Sequence, residues 1–310
     1  RRAGEQVFEL AFQDGRIERR HEVFAGTGGK GTLHLAQIRV RREHQGSTYI
    51  QFVRLAGEGD RVEFETHIDW NTRERSLKQC FVLAARNPVA TYDIQAGAIA
   101  RDNNSAKRYE NPSHQWFDLT DSTGSFGASI LSDSKYGSDK PDDNTLRLTM
   151  LYTPGVRGGY QDQGTQDIGR HEMLTAIYPH SGGWSQAKTP EHAARLNSPL
   201  RAFLVSKHDG KLGRQISLGA VEGAQVVALK KAEASDDAIV RLRETSGKAT
   251  DASFAFAPGI AAAKRVDGQE REIGPAAVDS GSLRTNLPAF SLQAFALTPE
   301  KAMRRASEPS

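Results

Sequence analysis

The sequence predicts an all-β protein made of sandwiches. Three observations predict it. Apolar and polar residues alternate with a period of two, the segments between alternating runs are rich in Gly, Asn and Asp, and long helical periodicity is nearly absent. Val7-Phe8-Glu9-Leu10-Ala11-Phe12 alternates first, followed by Leu33 to Val40 and then Arg61 to Trp70. Gly127 to Ser132 reads as a buried strand running into a polar turn, and Thr145 to Leu151 alternates again. Asp14-Gly15, Gly26 to Gly31 and Asp142-Asp143-Asn144 are the intervening turns, where Gly and Asn supply the positive φ that tight β connections need. One short helix is predicted from Thr189-Pro190-Glu191, with Thr189 as N-cap, Pro190 in the first turn and Pro199 as the stop.

A polar stretch, Lys207 to Lys211, precedes a second set of strands at Ala224 to Leu229, Ala238 to Arg243 and Phe290 to Leu297. The boundary is expected between Ser206 and Leu218. The expected domains are therefore a large β domain over 1–215, a small β-sandwich over 216–299 and a disordered tail over 300–310. With 310 residues, 37% hydrophobic and 25% charged, the chain has the composition of a globular protein. A net charge of +3, spread through interleaved Lys, Arg, Asp and Glu, gives no basic face for nucleic acid. Arg39-Val40-Arg41-Arg42 alternates as a solvated strand edge would. No apolar run is long enough for a membrane helix, so neither nucleic acid nor membrane is an expected partner. Cys80 is the single cysteine, which rules out an internal disulfide and Cys-based zinc ribbons. The compartment expected is cytoplasmic, with the periplasm as alternative. The Arg1-Arg2 start, without Met or an apolar leader, reads as a cut from a longer protein.

Polar and aromatic side chains gather between His114 and His180. His114 and Trp116 stand two apart, hence on the same face of a strand. Lys135-Tyr136-Gly137 follows a buried strand, Asp167 precedes His171, and Tyr178-Pro179-His180 leads to Gly182-Gly183-Trp184. Each has a plain structural reading as a strand histidine, turn chemistry or an aromatic strand end. Asp167 and His171 are not on a helix and lack a third ligand, so no metal site is expected there. No Gly-x-Ser-x-Gly, phosphate loop or His-Glu-x-x-His occurs. Two other classes stay open. One is an aldose-1-epimerase-like enzyme using His171 or His180 with Glu172. The other is a carbohydrate-binding module that stacks sugars on Trp116, Tyr136, Tyr178 or Trp184.

Beyond these readings, ordered stretches of the chain resemble the C-terminal region of glycoside hydrolase family 38, the retaining α-mannosidases, in their cytosolic and bacterial branch. They are Asp69-Trp70 with Leu77-Lys78, Tyr109-Glu110 with His114 to Thr120, and Gly127-Ala128 with Leu131 to Gly137. Leu146 to Pro154, Asp167 to His171 with Ala176 to Gly182, Ala193 to Leu200, and Val240 to Gly247 continue the series. Ser132 stands where the family often has Asn, Ser134 where it often has Cys, and Tyr152-Thr153 where it often has Arg and Ser or Ala. The resemblance implies a galactose-mutarotase-like supersandwich followed by a smaller β-sandwich. It also implies that the nucleophilic Asp and a zinc site belong to an N-terminal barrel of the same polypeptide, which would be this region's partner beside a mannoside or oligosaccharide substrate. In that reading the region holds no cofactor and no catalytic residue, and is inactive alone. His114, Trp116, Lys135, Tyr136, Tyr152, Asp167, His171, Tyr178 and His180 are its candidates for an interface or the rim of a sugar site.

Overall fold

The computed structural model describes residues 35–95, 97–155, 166–207 and 217–300. The strand expected at Val7 to Phe12, the turns at 14–15 and 26–31, and the tail after Glu300 lie outside the described residues. So do Leu33 and His34 at the start of the next strand, and the polar stretch from His208 onward. The chain forms two compact units that divide between Pro199 and Leu200. Among the described residues no helix is long and apolar enough to cross a membrane.

In the first unit β1 (Leu35–His44), β2 (Ser47–Ala56) and β3 (Val62–Trp70) form a meander, and β4 (Arg75–Val82) leaves it for a second sheet. The chain continues through β5 (Val89–Ile94), β6 (Gly97–Asp102), β7 (Asn111–Pro112), β8 (Trp116–Thr120), β9 (Phe126–Ser132) and β10 (Gly137–Asp139). β11 (Thr145–Thr153), β12 (Gly169–Ser181) and helix α1 (Thr189–Asn197) complete the unit. The large sheet has the order β1-β2-β3-β12-β9-β8-β5-β6 and the small one β4-β11-β10-β7. Every pairing is antiparallel, the last strand of the large sheet having been inserted between two earlier blocks.

Alternation decides the core. Ile68, Tyr92, Phe117, Leu119, Ile130 and Met173 of the large sheet meet Leu77, Phe81, Leu146 and Leu148 of the small one. Fully burying such a side chain is worth about 1.5–3 kcal/mol, so this layer supplies most of the unit's cohesion. A bulge in β11 between Thr149 and Leu151 breaks the strict alternation. It lets Met150 and Leu151 both enter the core and flips the parity beyond, so Tyr152 faces solvent and Thr153 is buried. Pro179 sits in β12 beyond Ile177, the last residue paired with β3, so its missing N–H takes nothing from that ladder.

α1 starts where the sequence predicts, with a proline in its first turn and Glu191 at its positive end. The expected cap is corrected. Lys188, in the left-handed region at φ 56°, is the N-cap and makes no side-chain cap bond. Thr189 is buried instead, its hydroxyl 2.7 Å from that of Ser129. A threonine under a packed helix is drawn to the sheet's polar groups rather than to its own backbone.

The second unit contains β13 (Gly219–Glu222), β14 (Gln225–Lys231), β15 (Ala238–Arg243), β16 (Thr250–Phe256) and β17 (Ile260–Val266). β18 (Glu272–Pro275), β19 (Ala277–Asp279), β20 (Ser282–Leu287) and β21 (Leu292–Pro299) follow. A four-stranded sheet, β13-β16-β20-β19, and a five-stranded sheet, β14-β15-β21-β17-β18, supply Phe254, Leu283, Val240 and Phe295 to a common core. Both units are all-β, as the periodicity predicts.

Candidate functional site

Strand polarity sorts the candidates. Because all pairs are antiparallel, β5, β7, β9 and β11 run toward one end of the first unit, and β8, β10 and β12 start from it. That end collects His114 between β7 and β8, Lys135 and Tyr136 between β9 and β10, Tyr152 late in β11, and Asp167 and His171 around the start of β12. His114 and Tyr136 are exposed and their rings stack, centroids 6.3 Å apart at 21°. Under them Asp93 is buried, accepting the Gln115 N–H at 3.0 Å, with Nδ1 of His114 3.8 Å away. The Lys135 N–H donates to Ser132 Oγ at 3.0 Å, which shapes the turn that presents Tyr136.

Asp167, at φ 31°, accepts the Tyr152 N–H at 3.2 Å. Its carbonyl lies 2.6 Å from Nε2 of His171, a contact that holds a proton on that nitrogen. His114 and Trp116 do not share a strand face, contrary to the spacing. β8 begins only at Trp116, so His114 sits in the preceding loop and is exposed while Trp116 is buried.

Trp116, Tyr178 and His180 lie elsewhere, on the face of the large sheet covered by α1. Trp116 packs with Leu131, Ala176, Ala193 and Leu196, and Trp184 tilts onto it at 5.1 Å. Beside them is a closed polar network. Oδ2 of Asp118, fully buried, is 2.7 Å from Nε2 of His180 and accepts the Ser129 hydroxyl at 2.7 Å. Thr120 donates to its other oxygen at 2.6 Å, and Nδ1 of His180 points at the Gly182 carbonyl at 3.1 Å. Only 2% of the His180 side chain is exposed, so no substrate reaches it. A Cβ on Gly127 would lie 2.8 Å from Cε1 of His180 and 2.8 Å from the Leu119 carbonyl, which is why that position is glycine. The Tyr178 hydroxyl donates to the Ala187 carbonyl at 3.1 Å, and its ring stacks on His192 at 3.9 Å. Burial, with the Asp60 carboxylate beside it, holds the Tyr178 hydroxyl above its ordinary value. Burial pushes His192 below the usual histidine range even though Asp60 is 3.5 Å from its Nδ1.

Other motif residues are tied into ion pairs and hydrogen bonds. Glu110, Lys78, Asp139 and Arg147 form one ion-pair network on the small sheet, with Arg147 forked onto Asp139 and Thr149 bonded to Glu110. A Cβ on Gly137 would strike Glu110 Oε1 at 2.6 Å. In the second unit Glu244 is buried under the N–H groups of Ser246, Gly247 and Phe290. Burial alone would raise its carboxyl, but these bonds outweigh it and hold it below the ordinary glutamate range.

Sequence reasoning missed Asp93, Asp118 and Ser129, because a polar residue inside a strand pattern carries no signal of what the opposite strand holds, and His192, whose place on α1 against Tyr178 is set by tertiary packing. Glu172, exposed and 3.3 Å from His67, does not converge with buried His180. Trp116, Trp184 and Tyr178 are covered by neighbouring rings, and Tyr136 is the ring among the four expected sugar platforms that is exposed. Among the described residues no group of three or more His, Cys, Asp or Glu is placed to hold a metal ion.

Comparison with known proteins adds family to geometry. Residues 27–156 match the glycosyl hydrolases family 38 C-terminal domain, and residues 223–295 match that family's C-terminal beta sandwich domain. "Alpha-mannosidase 2C1" of Mus musculus is 36% identical over 147 residues, covering 46% of this chain and 13% of that protein. "Alpha-mannosidase G" of Dictyostelium discoideum is 30% identical over 205 residues, covering 63% of this chain and 18% of that one. The chain therefore spans less than a fifth of the length of these relatives. An alpha-mannosidase from Enterococcus faecalis V583 superposes with a TM-score of 0.73 at 14% identity, over 86% of this chain and 34% of that chain. This likeness is one of fold.

Proposed function

From a chain that is a C-terminal β region of glycosyl hydrolase family 38, we infer a non-catalytic part of a retaining, zinc-dependent α-mannosidase, docked on the catalytic barrel of the same polypeptide. The observation that carries the reading is an exposed apolar run after α1. Leu200, Phe203, Leu204 and Val205 are 101, 81, 104 and 66% exposed. A folded protein rarely leaves such a run uncovered, and the relatives' much greater length offers the surface to cover it.

The end of the first unit bearing His114, Lys135, Tyr136, Tyr152, Asp167 and His171 is assigned to the rim of the mannoside site. α1 ends there too, since Asn197 Nδ2 donates to the Ser132 carbonyl at 3.1 Å. An exposed ring pair with a flexible cation beside it suits a sugar's apolar face and hydroxyls. The nucleophilic carboxylate and the zinc ligands are assigned to the barrel, as the resemblance to the family implies. The chemistry is then a two-step displacement with retention, to which this region contributes position rather than proton transfer. The compartment that goes with this reading is the cytoplasm.

The test is to assay this chain alone and as part of the full polypeptide for aryl α-mannoside hydrolysis, with zinc added and chelated. Activity is expected in the full polypeptide only, and Phe203→Asp with Leu204→Asp should weaken its assembly. Hydrolysis by the isolated chain would overturn the reading.

A further inference from the structure

One face of the four-stranded sheet in the second unit carries a polar cross-strand ladder that the reading above leaves unused. The register aligns Glu222 with Ser253 and Ser253 with Arg284 in one row, and Asp251 with Asn286 in the next. The flanking positions on that face, Ala220, Ala255 and Ala277, are too small to cover it. The result is an open, shallow cleft of about 400 Å³ on the sheet face, lined by Glu222, Asp251, Ser253, Arg284 and Asn286. Asn286 Nδ2 donates to Asp251 Oδ1 at 2.8 Å, which fixes both side chains and leaves the amide oxygen and the second carboxylate oxygen as acceptors. Nε of Arg284 is 4.0 Å from Asp279, too far for a hydrogen bond that would tie it down.

This set selects against charged ligands. Two carboxylates repel a phosphate or an acidic polymer, and the guanidinium repels a polycation. A neutral polyol meets no such penalty, because each hydroxyl both donates to a carboxylate or amide oxygen and accepts from Arg284. We propose that the cleft binds a neutral saccharide, gripping adjacent hydroxyls between Arg284 and the Asp251–Asn286 pair. The class of ligand rests on the glycan-acting reading above. The cleft would hold a glycan chain apart from any site of hydrolysis. No ring stacks in it, so binding should be weak and set by hydrogen bonds.

The experiment titrates the full chain with mannobiose and, separately, with inorganic phosphate, read by amide chemical shifts. Mannobiose should shift residues of β16 and β20. Arg284→Ala and Asp251→Ala should each weaken it at least tenfold with melting temperature unchanged, and Lys264→Ala, on the other sheet of the unit, should leave it intact. Absence of binding, shifts confined to the loops around Tyr136 with none in β16 and β20, or stronger binding of phosphate would overturn the proposal. A parent that fails to hydrolyse mannosides while the chain still binds mannobiose would sink the enzyme reading and spare this site.

Discussion

Two regions of the first unit draw on the same stretch of sequence and end in opposite environments. The open end holds His114 and Tyr136 in loops, stacked and exposed. The face under α1 holds Trp116 packed among apolar side chains, with Asp118 bonded to His180 and Ser129. Histidine, aromatic and carboxylate occur in both. What differs is whether the residue precedes a strand or lies within it, and, within it, which parity it has. Residue type therefore says little about role here, and the two regions should respond to substitution in opposite ways.

The comparison is broken most directly at the buried pair. His180→Ala removes a hydrogen bond from the buried Asp118 carboxylate, and should cost about 1.5–3 kcal/mol of unfolding free energy, measured in denaturant. A cost below about 1 kcal/mol would mean that the face is as open as the other end. Gly127→Ala attacks the same pair sterically, by pushing a methyl group into the imidazole, and should cost ~1–3 kcal/mol.

Acidity sharpens the contrast next. The folded-state pKa of His192 is lowered by burial, so the unfolded chain binds the proton more readily. Its contribution to stability is present above the unfolded histidine value of about 6.5 and is lost as pH falls through the lower folded value. Melting temperature should drop over that window, and less so in His192→Phe. Smallest of all is the effect at the open end. His114→Ala and Tyr136→Ala should change stability by no more than about 0.5 kcal/mol, while lowering kcat/KM of the full polypeptide for mannosides. A large loss of stability there would make the pair structural.

Much of the fold was legible in the alternation of Val62–Trp70 and Thr145–Leu151, because half-buried strands impose period two on their own residues. The start of α1 was legible from Pro190 and Glu191 for the same local reason. The β11 bulge was not, since Met150 and Leu151 as adjacent apolar residues look like a continuous run. Nor was the fate of Thr189, whose hydroxyl answers to Ser129, 60 residues away. Of the candidate residues, the motifs marked loops and strand ends but could not separate exposed His114 from covered His180. That distinction depends on pairings such as Pro179 with Ala128, which no local pattern encodes.

The position of β12 has a consequence for how the chain is made. It is the last strand of the first unit to be synthesised, yet it lies between β3 and β9 in the middle of the large sheet. Until residues 169–181 emerge from the ribosome, the β1–β3 meander and the β5–β9 block each present an unpaired inner edge, the kind of template on which strands of other chains add. Closure must also wait for contacts about a hundred residues apart in sequence, which slows folding. Nascent chains stalled before residue 169 should therefore aggregate or recruit chaperones. Chains released after Asn197, with the strand in place and the helix laid over it, should be the first to resist protease.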